Sequence, residues 1–323
     1  MRSRFVLAFD LGGTHLRAAV VDQNGTIHFR VKQQTPAAAG PEDILGALVT
    51  AARECEDRGL PPGQSVSAIS VVVPGSVDIA AGVVVEAPNL PGLNGFNLSA
   101  ALARELSCPA ILENDANAAA VGELWLGAAR GRHTIVCVTL GTGVGGGIIL
   151  DGKLWHGAND SAAEIGHTCI EPLSEITCNC GSRGCLELYA SATAIVRMAR
   201  EASAGHSDSI LSRNDRLTSE DVYQAARNGD PLAIEVFRRM GDYLGVGLVN
   251  LINILNPEMI VIAGGLANAW ELFEPAMNCR IRRRSFPRQA LQLKIVRGEC
   301  GDDAGLLGAA RLAFDHIPLK QSV

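Results

Sequence analysis

Apolar residues fall in short runs broken by glycine, proline and asparagine, and these runs alternate with stretches where apolar residues recur every three or four positions. Residues 5–9 form one continuous run, ending at Asp10-Leu-Gly-Gly-Thr14. Residues 17–21, apolar from Ala18 onward, form another, closed by Asp22-Gln-Asn24-Gly25, whose Asn-Gly pair marks a turn before a third segment at 26–31. The pattern predicts strand, glycine-rich turn, strand, turn, strand. Over residues 42–59, behind Pro41, Ile44, Leu45, Leu48, Ala51 and Ala52 share one helical face. A buried-type strand at 69–73 runs into Pro74-Gly75, a helix is expected at 98–106, and Pro109 precedes a strand at 110–112. Asn114 or Asp115 can cap a helix over 116–126. Strands at 135–140 and 148–150 flank a second glycine turn, and helices are expected at 191–204, 219–228, 231–256 and 303–314. Strands alternating with helices in this way indicate an α/β fold.

The later pair of strands repeats the first. A gap-free shift of 129 residues sets residues 6–12 over 135–141 and 19–22 over 148–151. This predicts two related halves, each opening with a hairpin whose turn can face a shared cleft, and a boundary near residues 115–130.

Composition narrows the class. A chain of 323 residues suggests about two domains, and 47% hydrophobic with 19% charged residues supports a sizeable core and excludes general disorder. A net charge of −6 and a pI near 5.7 leave no electrostatic footprint for nucleic acid or an anionic membrane. The basic group Arg280, Arg282, Arg283, Arg284 and Arg288 reads as a solvated helix face or an anion contact. The unbroken run of five apolar residues before Asp10 falls short of a secretory core of about 7–15. The longest apolar stretch, 243–255, is shorter than the roughly 20 residues of a membrane span and carries Asn250 and Asn253. A soluble, cytoplasmic protein is therefore expected, and the acceptor patterns at Asn24 and Asn97 are read as chance.

Backbone N–H groups wrap a phosphate only where no side chain blocks approach. Gly12-Gly13-Thr14 and Gly141-Thr142-Gly143 both fit, each with a hydroxyl, and Asp10 is placed to hold Mg²⁺ through water. The P-loop pattern is absent. Gly141-Thr-Gly143-Val-Gly-Gly146 satisfies G-x-G-x-x-G, but that fingerprint needs a helix to follow and residues 148–150 predict a strand, which argues against a Rossmann dehydrogenase. Cys178, Cys180 and Cys185 crowd one knuckle with Gly181 and Gly184, and His167 lies eleven residues upstream of Cys178, a closed Cys₃His set suited to structural zinc. Nine cysteines is an odd count, which disfavours a disulfide framework; Cys55, Cys108, Cys137, Cys169, Cys279 and Cys300 are read as small buried hydrophobes. Asn89, Glu113-Asn114-Asp115-Ala-Asn117, Glu164-Ile-Gly-His167 and Glu187 supply partners for sugar hydroxyls, with Asp115 a candidate base and Glu164 equally readable as a solvated charge.

In their order these motifs resemble the ROK family of sugar kinases and repressors. The resemblance rests on Asp10-Leu-Gly-Gly-Thr-His-Leu-Arg17, Glu113-Asn-Asp-Ala-Asn117, Leu140-Gly-Thr-Gly-Val-Gly-Gly-Gly147, Glu164-Ile-Gly-His167, Cys178-x-Cys180-x₄-Cys185-x-Glu187 and Ile262-Ala-Gly-Gly265. It implies a two-lobed actin-like ATPase (ribonuclease H-like) fold with a small zinc knuckle in the second lobe. The first lobe would be residues 1–117, with a C-terminal helix at about 303–318 packed back on it, and the second 118–302.

The resemblance also implies site roles. Gly12, Gly13, Thr14, Gly141, Thr142 and Gly143 would hold ATP phosphates, with Gly264 and Gly265 by the adenosine. Gly75, Asn89, Asn114, Asp115, Glu164, His167 and Glu187 would contact a hexose, with Asp115 as base and His167 serving both sugar and zinc. ATP, Mg²⁺ and structural Zn²⁺ are the implied cofactors, and a homodimer or dimer of dimers the implied assembly. His15 stands where the family often has Lys, and Leu266 where a third Gly is frequent. Repressors of the family carry a winged helix-turn-helix before the first glycine turn. Only nine residues precede Asp10 here, so a kinase is expected rather than a sugar-responsive regulator. The run 185–196 resembles that of bacterial glucokinases, which makes glucose the first choice; N-acetylmannosamine, N-acetylglucosamine and fructose kinases share every motif.

Overall fold

The computed structural model of the protein describes residues 4–204, 209–214 and 216–316. Strands β1 (Phe5–Leu11), β2 (His15–Asp22) and β3 (Ile27–Gln34) form an antiparallel meander. Helix α1 (Pro41–Gly59) leads to β4 (Val66–Val73), which pairs parallel with β1. A small hairpin of β5 (Ser76–Asp78) and β6 (Val83–Glu86) precedes α2 (Leu98–Leu106). Then β7 (Ala110–Asn114) runs parallel to β4 and passes directly into α3 (Asp115–Trp125).

A second cycle follows. It consists of β8 (Ile135–Leu140), β9 (Val144–Leu150) and β10 (Lys153–Leu154), then α4 (Glu187–Ala190), α5 (Ala192–Ser203), α6 (Ser219–Arg227) and α7 (Pro231–Leu255). Strand β11 (Met259–Ala263) lies parallel to β8, α8 (Trp270–Arg284) and α9 (Pro287–Gln292) follow, and β12 (Lys294–Arg297) lies parallel to β11. Helix α10 (Ala304–His316) closes the described chain; residues 317–318 of the expected C-terminal helix lie outside the described residues. The two five-stranded sheets have the same order, β3-β2-β1-β4-β7 and β10-β9-β8-β11-β12. The 129-residue shift lays β1 on β8 and β2 on β9, so the sequence repeat and the duplicated sheet order coincide.

Two compact units result. The first takes the chain up to His133, Gly147–Ala162 and the chain from Glu299; the second takes Thr134–Gly146 and Ala163–Gly298. In the first, β1 is buried along its whole length because both faces of its sheet are covered. Phe5, Leu7, Phe9 and Leu11 pack with Ile44, Leu48 and Leu102 of α1 and α2. Val6 and Ala8, on the other face, pack with Ala118 of α3 and with Leu306, Ala309 and Ala313 of α10. Each large apolar side chain so buried contributes about 1.5–3 kcal/mol. Helix α3 lies whole in this unit, although the expected boundary at 117/118 would cut it. Its small residues are the reason: a Cβ at Gly308 would overlap Ala118 O and one at Gly122 would overlap Ala304 O, so α3 and α10 meet backbone to backbone.

In the second unit α7 and α8 touch in the same way. A Cβ at Gly241 would overlap Phe273 O, and one at Gly245 would lie 2.9 Å from Met277 O. Among the described residues no helix is long and apolar enough to cross a membrane. Two local expectations need correction. Strand β9 begins at Val144, so the glycine turn is only residues 141–143; Gly146 and Gly147 are strand residues kept small by Ile165 and by Ala120 respectively. Cys169 is exposed rather than buried, and Cys279 and Cys300 are half-buried. Cys169 sits in the cysteine loop, where its backbone pairs with that of Cys185 in an isolated antiparallel bridge instead of entering a core.

Candidate active site

In the first unit the β1–β2 turn is tied down by Gly12 N donating to His15 O at 2.9 Å and by Thr35 Oγ1 donating to Gly12 O at 2.6 Å. Thr14 and His15 are exposed at its tip. A Cβ at Gly13 would lie 2.8 Å from Asn89 Cβ, so this glycine is required by the close seating of Asn89. Asp10 points off β1 opposite Arg17 of β2, whose Nη2 donates to Asp10 Oδ2 at 2.5 Å. Burial pushes the Asp10 carboxyl above its usual range, and the Arg17 guanidinium offsets part of that rise.

Asn114 ends β7 and caps α3, accepting from Ala116 N at 2.9 Å and Asn117 N at 3.0 Å. Its Nδ2 donates to Gly75 O at 3.0 Å. Gly75 has φ +104°, and a Cβ there would overlap Glu86 O. Asp115 is the first residue of α3, and its Oδ1 accepts from Ala116 N at 2.8 Å. The unit thus brings Gly75, Asn114 and Asp115 together, and Asn89 to the glycine turn.

Glu113, which is 3% exposed, lies beneath them. Its Oε1 accepts from Asn114 N at 2.9 Å and from Asn117 Nδ2 at 3.0 Å, and its Oε2 lies 2.7 Å from His156 Nε2. A second buried carboxylate, Glu123, accepts from Ala128 N, Glu299 N and Cys300 N at 2.9, 3.1 and 3.0 Å and fastens the start of the C-terminal segment to α3.

In the second unit the β8–β9 turn hangs on the start of α5. Ala192 N donates to Gly141 O at 2.8 Å and Thr193 Oγ1 to Thr142 O at 2.9 Å. Gly264, at φ +85°, is pressed against Leu140, which brings residues 264–265 beside this turn. Among the described residues nothing beyond the adjoining chain lies within 4 Å of a Cβ position at Gly141 or Gly265, which leaves the backbone open to a ligand there. Glu187, the first residue of α4, accepts from Val144 N at 2.9 Å and fills the space a side chain at 143 would need. Exposed Glu164 precedes a single helical turn, Ile165–His167, and lies 3.9 Å from His167 Nε2.

His167 turns its other nitrogen, Nδ1, to Cys178 Sγ at 3.6 Å, and Cys180 Sγ lies 3.7 Å from Cys185 Sγ. The four ligand atoms lie within 4.8 Å of one another. Tetrahedral zinc with bonds of about 2.0–2.3 Å sets ligand atoms roughly 3.3–3.8 Å apart; the His167–Cys178 and Cys180–Cys185 separations lie in that range, and the donor set suits one zinc ion once its widest gaps, up to 4.8 Å, draw in. Gly181 and Gly184, at φ +85° and +68°, make the knuckle. Burial pushes the Cys185 thiol up to about 12, a cost that a bound cation would remove.

The ROK family profile matches residues 6–316. The chain belongs to the ROK family. It is 34% identical over 316 residues to the glucokinase of Thermotoga maritima, covering 97% of this chain and 98% of that one. It is 30% identical over 315 residues to the xylose repressor of Caldicellulosiruptor bescii, covering 97% of this chain and 78% of that one. The crystal structure of a ROK family glucokinase from Streptomyces griseus in complex with glucose and AMPPNP matches with a TM-score of 0.79 at 34% identity, over 96% of this chain and 99% of that one. Within this ROK chain the sequence does not signal the place of Arg17 against Asp10, the role of Glu123 or the pairing of Glu113 with His156; it offers Glu113 and Asn117 as sugar partners, whereas the structure buries both and bonds them to each other, with Glu113 also on His156. The only signal for Glu113 is its place next to Asn114-Asp115, and His156 stands in a loop with no motif around it.

Proposed function

We propose that the protein is an ATP-dependent hexose kinase that converts glucose to glucose 6-phosphate. Asp115 takes the proton from the sugar 6-hydroxyl as that oxygen attacks the γ-phosphorus; the bond from γ-phosphorus to the bridging oxygen breaks, and ADP leaves. The observation that carries the reading is Asp115 at the first position of α3, behind the cap made by Asn114 and beside Gly75. Asn89, Asn114, Glu164, His167 and Glu187 are assigned to the sugar. Gly12, Gly13, Thr14, Gly141, Thr142 and Gly143 are assigned to the phosphates, with Gly264 and Gly265 by the adenosine. The open backbone at Gly141 and Gly265 supports the nucleotide side. Mg²⁺, near Asp10, would neutralise phosphate charge.

His167 would hold structural zinc through Nδ1, with Cys178, Cys180 and Cys185, and leave Nε2 for the sugar. The duplicated sheet order supports an actin-like ATPase fold. A cytoplasmic homodimer or dimer of dimers is the expected form. A coupled ADP-release assay over glucose, mannose, fructose, N-acetylglucosamine and N-acetylmannosamine tests the reading. Glucose should have the highest kcat/KM, and no turnover with any of them overturns it. The likeness to the xylose repressor favours a second reading, a sugar-binding regulator, which predicts sugar affinity without turnover.

A further inference from the structure

Glu113 is a buried carboxylate two residues before the proposed base, and its bonds are all directed at keeping that stretch of chain in place. Oε1 holds the Asn114 N–H and the Asn117 amide, at 2.9 and 3.0 Å. Asn114 in turn caps α3 and ties to Gly75 O, so the backbone on either side of Asp115 hangs on one carboxylate. Such a group is costly to bury unless its other oxygen is also satisfied. That partner comes from a distant part of the sequence: His156, in the loop after β10, brings Nε2 to within 2.7 Å of Glu113 Oε2. The carboxylate is 4% exposed and the imidazole 29%. The loop is itself anchored, because Trp155 N donates to Ile148 O at 2.8 Å and Asp160 Oδ2 accepts from Ile79 N at 3.1 Å.

We propose that His156 and Glu113 form a positioning pair that aims Asp115, with His156 supplying the donor and the positive charge that keep the Glu113 carboxylate clamped to the Asn114 N–H. The inference rests on the reading of Asp115 as base. Both residues act through Asp115 and neither is placed on the substrate. The Glu113 carboxylate bonded to Nε2 raises the His156 pKa, burial opposes it, and Asp160 adds to the rise; Glu113 and Asp160 are the charged groups acting on this imidazole. Between them they keep it protonated further toward neutral pH than a free histidine. With that charge gone, the Glu113 carboxylate would stand uncompensated two residues from Asp115 and make Asp115 harder to ionise.

Two variants separate positioning from mere packing. His156→Ala removes donor and charge, and kcat should fall about 10- to 100-fold, the scale of a misaimed catalytic group, with the KM for ATP unchanged. His156→Gln keeps an N–H donor at similar reach but no charge. It should recover most of kcat, while the acid limb of the kcat–pH profile, which reports ionisation of Asp115, moves up by about half a unit or more. A residue that only filled space would not move that limb in the Gln variant. Wild-type kcat and an unshifted limb in both variants overturn the proposal, as does a His156→Gln variant that melts like wild type yet loses as much kcat as His156→Ala. Asp115→Asn, run alongside, keeps the two failures apart. If it remains active the kinase reading of Asp115 fails, and if it is inactive while His156→Ala is normal only the positioning pair fails.

Discussion

Replacing Gly143 by alanine probes how the proposed phosphate turn and the proposed sugar contact depend on each other. The new Cβ would overlap Glu187 Oε2 and lie 3.1 Å from Glu187 Cδ. To regain ordinary contact the carboxylate must withdraw by roughly 1 Å. That breaks its bond to Val144 N, now 2.9 Å long. A hydrogen bond to a charged group contributes about 1.5–3 kcal/mol, and since Glu187 is only half-buried the lower end applies, about 1–2 kcal/mol. At 1.4 kcal/mol per factor of ten this is about 5- to 30-fold in kcat/KM. The sequence alone places Glu187 on the sugar side and Gly143 on the phosphate side, as separable effects. The bond from Val144 N to Glu187 joins them, so Gly143→Ala and Glu187→Gln should each raise the KM for glucose and for ATP. Because both disturb one arrangement, the double variant should cost no more than the worse single one. Steady-state kinetics on the three variants, each substrate varied in turn, checks this. Strictly additive losses, or a Glu187→Gln variant altered for glucose alone, would refute the coupling.

Asp115→Asn keeps the shape of the side chain but cannot take a proton, so turnover should fall about 10²- to 10⁴-fold while glucose binding by calorimetry persists; retention of more than about a tenth of wild-type turnover would count against Asp115 as base. Metal analysis of protein purified without added metal should find one zinc per chain, and Cys180→Ser should lose both the metal and thermal stability; a Cys178–Cys185 disulfide with no metal would end that assignment. Asp22 is subject to burial, which raises its pKa, but the bonds from His28, Thr26 N and Asn24 N outweigh it and the net shift is downward. Its contribution is therefore present above the ordinary carboxylate range and lost as pH falls through the lowered value. The melting difference between wild type and Asp22→Asn should shrink toward low pH, and a gap that widened there would contradict the sign.

Much of the first sheet was legible because β1 is buried on both faces, and a strand of that kind reads as an unbroken apolar run. The N-terminus of α3 was legible for a different reason, since Asn114 has the side chain a cap needs. Helix α8 was not. Pro275 interrupts it, and only Phe273, Met277 and Ile281 face inward, too thin a stripe for periodicity to find. The glycines were legible as special positions, but the reason for them was only partly so. Gly13 yields to Asn89, Gly143 to Glu187 and Gly264 to Leu140, whereas Gly141 and Gly265 stay open. The sequence shows that a side chain is missing and not what occupies its place. The pairing of Glu113 with His156 was invisible because 43 residues separate the two and their meeting depends on the loop after β10.

The repeat also shows how two copies of one hairpin come to hold different chemistry. The first copy sets Asp10 against Arg17 across β1 and β2. Moved by 129 residues, those positions are Thr139 and Gly146, so the second copy has neither the acid nor the base. Gly146 cannot regain a side chain without displacing Ile165, the residue between Glu164 and Gly166-His167. A Cβ at Gly166 would in turn overlap Val144 O, and Val144 N is the donor to Glu187. Restoring the first copy's arginine would therefore push out the turn that carries His167, the histidine of the proposed metal set. One copy spends its pleat on a charged pair; the other spends the same positions on backbone close enough to hold the Glu-x-Gly-His turn. Identical strand order thus sets both glycine turns at the same place in their sheets, and the change from acid and base to Thr139 and Gly146 leaves the second turn without a charged pair across its strands.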